Sequence, residues 1–206
     1  MSQPQFFEAI TKASSFTDVT VSEKGVDTAE FLEAAENLVK IFAPDLFGNP
    51  AFIVVQNDLT GNIAKIRAYL AANPSSAVTL ESLLASEKAN ISKPKDRVAT
   101  DALMWLLRGL KFTALGLKLN QENRKEELSA SFTKAYEQSL KKHHGIMVRP
   151  VFYLAMKACP YRATFYPKLG TPEAEVESKL QAWLKALYDI VQKEEGVFKA
   201  GGYGEI

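Results

Sequence analysis

The chain is poor in the residues that build reactive or metal sites. Among its 206 residues it has one cysteine, Cys159, and two adjacent histidines, His143 and His144. A single cysteine excludes an internal disulfide and fits a reducing compartment, so we expect a cytoplasmic protein. No cysteine stands at a zinc-ligand spacing from the histidines, which argues against a structural zinc site. We therefore expect neither a metal nor a cofactor.

The chain also lacks an excess of charge and a long apolar run. Its 25 basic and 24 acidic side chains give a net charge of +1, so no overall field favours nucleic acid. No apolar stretch has the length of a membrane span, and residues 1–5 lack the pattern of a signal peptide. With 47% hydrophobic residues, we expect one domain over residues 1–206. A monomer is the default expectation.

Catalytic signatures are missing as well. The sequence contains no Gly-x-Ser-x-Gly, no His-Glu-x-x-His and no phosphate-binding loop. Cys159 lies among apolar residues and before a proline, so we interpret it as a packed side chain rather than a nucleophile. His144 has the chemistry of a base, but no partner groups for a reaction accompany it. We expect the protein not to be an enzyme.

The apolar residues repeat close to every 3.6 positions, which predicts an all-α fold. The strand pattern is confined to 19–21. One helix, at 97–120, is apolar nearly all round and is expected to be central. Pro150 is expected to kink or split the long helix that contains it. The predicted helices span about 28–43, 50–72, 79–90, 97–120, 129–159 and 171–196.

Three polar residues share one face of the predicted helix at 50–72. Asp58, Asn62 and Lys65 follow each other at spacings of four and three, among apolar neighbours. A carboxylate, an amide and an ammonium together offer hydrogen-bond acceptors and donors, which suits a polyhydroxylated headgroup such as a sugar. The alternative is a solvated helix face with ordinary charge pairing.

Two ring residues stand out beside this row. Trp105 on the apolar helix is either a core residue or a plate on which a sugar ring stacks, with Gly109 one turn on to leave space beside the indole. His144 is either a satisfied, half-buried histidine or a neutral imidazole that binds an amide. His143 is interpreted as a surface neighbour of Lys141 and Lys142.

These residues stand in three motifs: Asp58-x-x-x-Asn62-x-x-Lys65, then Ala102-Leu-Met-Trp105-Leu-x-Arg-Gly, then Lys134-Ala-Tyr-Glu with Lys141-Lys-x-His144-Gly. Their order and spacing closely resemble the glycolipid transfer protein family, from about residue 29 to about 195. The resemblance implies a two-layer, all-helical sandwich of about eight helices that holds one lipid. Carriers of ceramide-1-phosphate have a basic residue in place of Trp105, so this chain resembles a carrier of glycosphingolipids.

The resemblance also implies roles for individual residues. Asp58, Asn62 and Lys65 would hydrogen-bond the first sugar, with Trp105 stacked under its ring. His144 would bind the oxygen of the ceramide amide and Asp58 its nitrogen. Tyr203 would match a headgroup tyrosine of animal members, although the tail differs in length. The residues expected to line the apolar chain pocket are Phe52, Val55, Leu106, Leu110, Phe152 and Ala155.

The chain departs from the animal pattern at several positions. Asp101 stands one turn before Trp105, where animal members have an apolar residue, so it would add an acceptor that favours neutral sugars over sulfated ones. Ile146 replaces a tryptophan that helps those members dock to membranes, and Pro150 is unusual in its helix. Docking would then use aromatic and basic residues that suit a membrane interface. These are Tyr153, Tyr161, Phe165, Tyr166 and Lys157.

The resemblance leaves two lipid-binding functions open. The first is transfer of galactosylceramide, glucosylceramide or lactosylceramide between membranes, with a transient membrane surface as partner. The alternative is a glycosphingolipid sensor that acts through a protein partner, as in fungal members linked to heterokaryon incompatibility. An enzyme acting on glycolipids would need a pair of carboxylates for acid and nucleophile, and no such motif is present. A plain helical scaffold is the remaining alternative.

Overall fold

The computed structural model describes residues 6–47 and 49–206, and this part of the chain confirms the all-α prediction. It contains nine α-helices of eight residues or more, one single-turn helix and one short hairpin, arranged as a two-layer helical sandwich. The helices are α1 (Phe6–Ala13), α2 (Thr28–Val39), α3 (Pro44–Phe47), α4 (Ile53–Ala72), α5 (Leu80–Asn90), α6 (Val98–Glu122), α7 (Leu128–Gln138), α8 (Arg149–Lys157), α9 (Arg162–Leu169) and α10 (Glu173–Gly201). The hairpin pairs β1 (Val21–Ser22) with β2 (Gly25–Val26) in antiparallel fashion.

Local capping explains where several helices begin. The Asp27 side chain accepts the N–H of Glu30 at the start of α2. Thr79 and Ser82 form a reciprocal capping box at the start of α5. Both starts lie close to the positions that the sequence predicts.

The start of α6 has a different, remote cap. The buried Glu87 of α5 accepts the N–H groups of Ala99 at 2.9 Å and Thr100 at 2.6 Å. These N–H groups have no partner inside their own helix, and a carboxylate also suits the positive end of the helix dipole. Glu87 thereby joins the end of α5 to the helix that carries Trp105.

The helix α6 is the centre of the molecule, as its apolar sequence predicts. It packs against α4, α5, α7 and α10. Close approach depends on a small residue on its α7 side: a methyl group at Gly116 would lie 2.8 Å from the Phe132 ring. Most of its buried residues are aliphatic or small, so α6 gains its stability mainly from tertiary packing.

The predicted helix at 129–159 is split in two, which is one of the two outcomes expected for it, but the break lies before Pro150 rather than at it. α7 ends at Gln138, a 3-10 turn covers Leu140–Lys142, and α8 begins only at Arg149. Pro150 therefore kinks no helix: it lies in the first turn of α8, where its missing N–H has no partner to lose.

The predicted end of α10 at Gly196 is also wrong. The helix continues to Gly201, and Gly202 ends it in the left-handed conformation with φ +64°. The helices α1 and α9 were not predicted from the sequence. α9 contains Pro167, and three of its residues are buried.

Candidate functional site

The polar row on α4 forms one interacting set. Asp58 and Lys65 are exposed, and Asn62 between them is buried. Although Asp58 is exposed, the surrounding protein partly desolvates its carboxylate, and this raises its pKa. The charge of Lys65 and a hydrogen bond from the Asn62 amide act to lower that pKa. A carboxylate that is short of water gains from hydroxyl donors, so this row is chemically suited to a ligand rich in hydroxyl groups.

A close approach between α4 and α6 brings this row towards Trp105. A methyl group at Gly109 would lie 2.6 Å from Cδ2 of Leu59, the residue that follows Asp58. The expectation that Gly109 leaves open space beside the indole is therefore wrong, because Leu59 fills that space. The glycine instead lets α4 approach the helix that carries the indole.

Trp105 is half-buried, and its indole has a guanidinium and an imidazole as neighbours. The Arg108 guanidinium lies 4.5 Å from the indole centroid. The imidazole of His144 lies nearly parallel to the indole, with centroids 5.9 Å apart and 18° between the planes. The structure thus brings together Trp105 and His144, which are far apart in sequence.

His144 is buried in an aromatic environment. Its Nδ1 shares a hydrogen bond of 3.2 Å with the Tyr136 hydroxyl, and its ring lies 4.4 Å from that of Phe152. Burial lowers the pKa of His144, and the charges of Arg108 and Arg149 lower it further, so the imidazole is neutral at pH 7. Its Nε2 makes no hydrogen bond with the described part of the chain.

His143 is not the surface residue that the sequence predicts. It is half-buried, and its Nε2 is buried without a hydrogen-bond partner among the described residues. Burial, followed by the charges of Arg108 and Lys142, lowers its pKa to about 4, with Glu205 opposing the shift. Both adjacent histidines are therefore uncharged at neutral pH.

Asp101 and Tyr203 lie in different surroundings. Asp101 is exposed one turn before Trp105, and its charge acts on Arg108. The Tyr203 ring packs on Phe198 at 5.9 Å, and the Lys88 ammonium lies 5.2 Å from its centroid. Within the described chain Tyr203 makes no hydrogen bond or ring contact with the polar row of α4 or with Trp105.

All six residues expected to line the chain pocket are buried, and two of them belong to a continuous series of aromatic rings. Neighbouring centroids in this series lie 4.4 to 6.4 Å apart and join, in order, Phe52, Phe47, Phe132, Phe112, Phe152 and His144. The series runs from the start of α4, through the core, to the imidazole beside Trp105. A cavity of about 800 Å³ lies elsewhere, between α6 and α10, and its lining mixes apolar side chains such as Leu184 with charged ones such as Lys118 and Glu177.

Two of the residues expected to dock to a membrane are in the wrong place for that role. Phe165 and Tyr166 are 0% and 1% exposed, because α9 turns them into the core. The Tyr166 hydroxyl also donates to Asn120 Oδ1 at 3.1 Å, and the Arg162 guanidinium lies over its ring. Tyr153 is half-buried, whereas Tyr161 and Lys157 are exposed.

An exposed apolar surface lies at the turn before α8 and next to it. Ile146 and Met147 are 82% and 86% exposed in the turn before α8. Exposed apolar side chains continue onto α8, which contacts the turn just before α4. Two more are exposed at the start of α4 itself. We define the apolar tip as Ile146, Met147, Val148, Val151 and Leu154, together with Ile53 and Val54. This surface was not predicted, because hydropathy alone does not distinguish an exposed apolar face from a core face.

Two residues without a role predicted from the sequence contact the site rings. Arg108 packs on Trp105, and Tyr136 bonds His144. Both stand inside the motifs quoted above. Their spacing from Trp105 and His144, three and eight residues, is the only sequence signal for these contacts.

This combination of an all-helical sandwich, a polar row and a tryptophan–histidine pair can be compared with known proteins. The family described as "Glycolipid transfer protein (GLTP)" matches residues 26–171. The glycolipid transfer protein of Aureobasidium melanogenum is 45% identical over 187 residues, which cover 91% of this chain and 89% of that protein. The chain therefore belongs to the glycolipid transfer protein family.

Solved structures agree with this assignment. The crystal structure of HET-C2, a fungal glycolipid transfer protein, matches with a TM-score of 0.85 and 38% identity, covering 94% of this chain and 96% of that one. A GLTP-fold structure of FAPP2, described as selecting simple glycosphingolipids, matches with a TM-score of 0.86 and 28% identity, covering 98% of both chains. The predicted two-layer sandwich is confirmed.

Membership of this family defines the broad activity. Its members are lipid transfer proteins and not enzymes, so this chain is a lipid transfer protein and not an enzyme. Within residues 6–47 and 49–206 no three side chains of the metal-binding types come together as a metal site. None of the described helices is both long and apolar enough to cross a bilayer.

Proposed function

We propose that the protein carries one glycosphingolipid between membranes, with the sugar bound at Asp58, Asn62, Lys65 and Trp105. The observation that carries this proposal is the meeting of α4 and α6, where a partly desolvated carboxylate and a half-buried indole lie on neighbouring helices. The indole offers a face for the C–H groups of a sugar, and the α4 row offers partners for its hydroxyls. The names of the relatives support the same ligand class.

The ceramide part would bind next to this headgroup site. The free Nε2 of His144 would donate to the ceramide amide oxygen, with Tyr136 on Nδ1 holding the ring in place. Asp58 would accept the N–H of the same amide. The two hydrocarbon chains would enter the aromatic core along the lining residues Phe52, Val55, Leu106, Leu110, Phe152 and Ala155.

This arrangement lowers the barrier to lipid exchange without chemical energy. Each CH₂ group that leaves a bilayer for water costs about 0.8 kcal/mol, so a two-chain lipid leaves unaided only slowly. A protein interior that replaces the bilayer removes much of that cost. The protein needs no cofactor for this task, and a monomer acting in the cytoplasm stays our prediction.

The test is transfer of fluorescent galactosylceramide between vesicles by wild type, Trp105→Ala and Asp58→Val. We expect rapid transfer by wild type and a loss of at least about tenfold in both variants, which should remain folded by circular dichroism. Asn57→Val is the matched control, because Asn57 is the exposed neighbour of Asp58 on α4 but lies off the polar row. Saturable binding without transfer would favour the sensor and its protein partner. If wild type shows no binding and no transfer, the proposal is overturned.

We further propose that the apolar tip docks the protein to the donor and acceptor membranes. Large exposed apolar groups near a basic residue such as Lys157 suit the interface between headgroups and acyl chains. Met147→Asp should reduce co-sedimentation with phosphatidylcholine vesicles several-fold without changing stability. Val78→Asp, at an exposed valine in the loop before α5, is the control and should bind as wild type does.

Asp101 would tune the choice of headgroup. Its carboxylate is exposed one turn from the indole, so it would repel the sulfate of a sulfated galactosylceramide and accept from a neutral sugar. Asp101→Leu should therefore bring the transfer rates of the two lipids closer together. Unchanged selectivity would remove this role.

A further inference from the structure

Arg108 is an unusual residue for the middle of an apolar helix. It is 8% exposed, and its Nε and Nη2 both donate to the backbone oxygen of Glu205, at 3.0 and 2.5 Å. Burial lowers the pKa of Arg108, although the nearby charges of Asp101 and Glu205 favour its charged form. A fork of two bonds to one oxygen fixes the plane of the guanidinium.

The same guanidinium is the cation that packs on the indole of Trp105, at 4.5 Å. Glu205 also contacts the chain segment that carries His144, the other neighbour of the indole. Its carboxylate pairs with Lys142, which stands two residues before His144. Glu205 thus contacts both chain segments that supply neighbours of the indole. Its backbone oxygen binds Arg108 on α6, and its carboxylate pairs with Lys142 near His144.

The C-terminal segment Gly202–Ile206 is itself anchored along α6. At Gly204, which has φ +140°, a methyl group would lie 2.6 Å from the sulfur of Met104. Further along α6 the Lys111 ammonium lies 3.4 Å from the Ile206 oxygen, and the Ile206 side chain is buried. The segment therefore runs beside α6 from the turn of Trp105 to the next turns of the helix.

We propose that Arg108 is a positioning residue for Trp105 and that the segment Gly202–Ile206 holds it in place. The segment sets the orientation of the indole through Arg108. Tyr203 of the same segment contacts Lys88 on α5 and Phe198 on α10 instead of the headgroup site. This inference rests on the proposed function, because the indole is taken as the plate for the sugar. Its consequence is that the segment controls affinity for the sugar and leaves affinity for the hydrocarbon chains unchanged.

The experiment uses the full chain with Trp183→Phe, so that Trp105 is the one fluorescent tryptophan left. Acrylamide quenching then reports the order of the indole, and competition binding compares galactosylceramide with ceramide, which has no sugar. We expect Arg108→Met to raise the quenching constant about twofold and to weaken galactosylceramide binding about fivefold to tenfold. Ceramide binding should stay within about twofold of wild type. Arg108→Lys, which keeps the charge and loses the fork, should fall between.

Arg124→Met is the matched control, since Arg124 is an exposed arginine on the loop after α6 and should change neither readout. If Arg108→Met does not fold, Gly204→Ala displaces the segment without altering α6 and should have the same effects. Equal losses for galactosylceramide and ceramide, or no change in quenching, would overturn the inference. If wild type binds galactosylceramide no better than ceramide, the proposed function fails, and the quenching constants still decide whether Arg108 orders the indole.

Discussion

Replacing one buried acid should make the protein more stable. Glu194 on α10 is fully buried, and neither of its oxygens has a hydrogen bond within the described chain. Glu81 of α5, the acid whose charge acts on it, accepts the N–H of Val26 and pairs with Lys193. Burial first, and the charge of Glu81 second, raise the pKa of Glu194 to about 8, with Lys193 opposing the shift.

The direction of the pH dependence follows from this raised pKa. Between pH 4.5, the ordinary value, and about 8, the folded chain keeps the Glu194 proton that the unfolded chain releases. Stability therefore falls as pH rises through that window and is level above it. pH 7 lies about 2.5 units above the ordinary pKa of 4.5, so at about 1.4 kcal/mol per unit the retained proton costs the folded state up to about 3.5 kcal/mol. Glutamine has no proton to lose and avoids this cost.

Urea unfolding followed by circular dichroism at pH 5, 6, 7 and 8 measures the effect. We expect Glu194→Gln to gain about 1–3 kcal/mol at pH 7, after the cost of burying an amide, and to lose that gain towards pH 5. Glu195→Gln is the matched control: Glu195 pairs with Lys111 near the surface, so its loss should be neutral or slightly destabilising. A gain for Glu194→Gln that is absent, or that is the same at every pH, would refute the reasoning.

Three further predictions concern packing, capping and reactivity. Gly109→Ala should destabilise the fold by about 1–3 kcal/mol in thermal unfolding because its methyl group meets Leu59, and the double variant with Leu59→Ala should lose less than the sum of the single losses. Glu87→Gln should cost about 1–3 kcal/mol in urea, since the first turn of α6 loses its charged acceptor, and an unchanged midpoint would contradict this. Burial raises the pKa of the Cys159 thiol to about 12, so at pH 8 it should react with an aromatic disulfide on the order of 100-fold more slowly in the folded than in the unfolded chain; equal rates would count against this burial.

Local chemistry made part of the fold predictable from sequence. The helices α2 and α5 begin where the side chains of Asp27 and Thr79 cap nearby N–H groups, so a few neighbouring residues contain the whole signal. The polar row at Asp58 and Asn62 was visible because the helical period alone places it on one face. The family resemblance then supplied the roles.

What the sequence did not show depends on contacts between distant residues. Gly196 faces open space and lowers the local stability of the helix. The burial of residues on either side of it, including Ile190 and Phe198, outweighs that cost, so α10 continues past Gly196. The cap of α6 comes from another helix. The apolar tip has the composition of a core segment, and only the fold shows that nothing in the described chain covers Met147.

The central position of α6 affects how the chain folds as it is synthesised. α6 ends at Glu122, but α10, one of the helices that cover it, ends at Gly201. About 80 residues separate these points, which a ribosome adds in roughly 4–16 seconds at about 5–20 residues per second. Throughout that interval the emerging chain exposes an apolar helix that has no complete shelter. Chaperones that bind apolar segments therefore have seconds, rather than milliseconds, in which to engage α6 before the last helix closes over it.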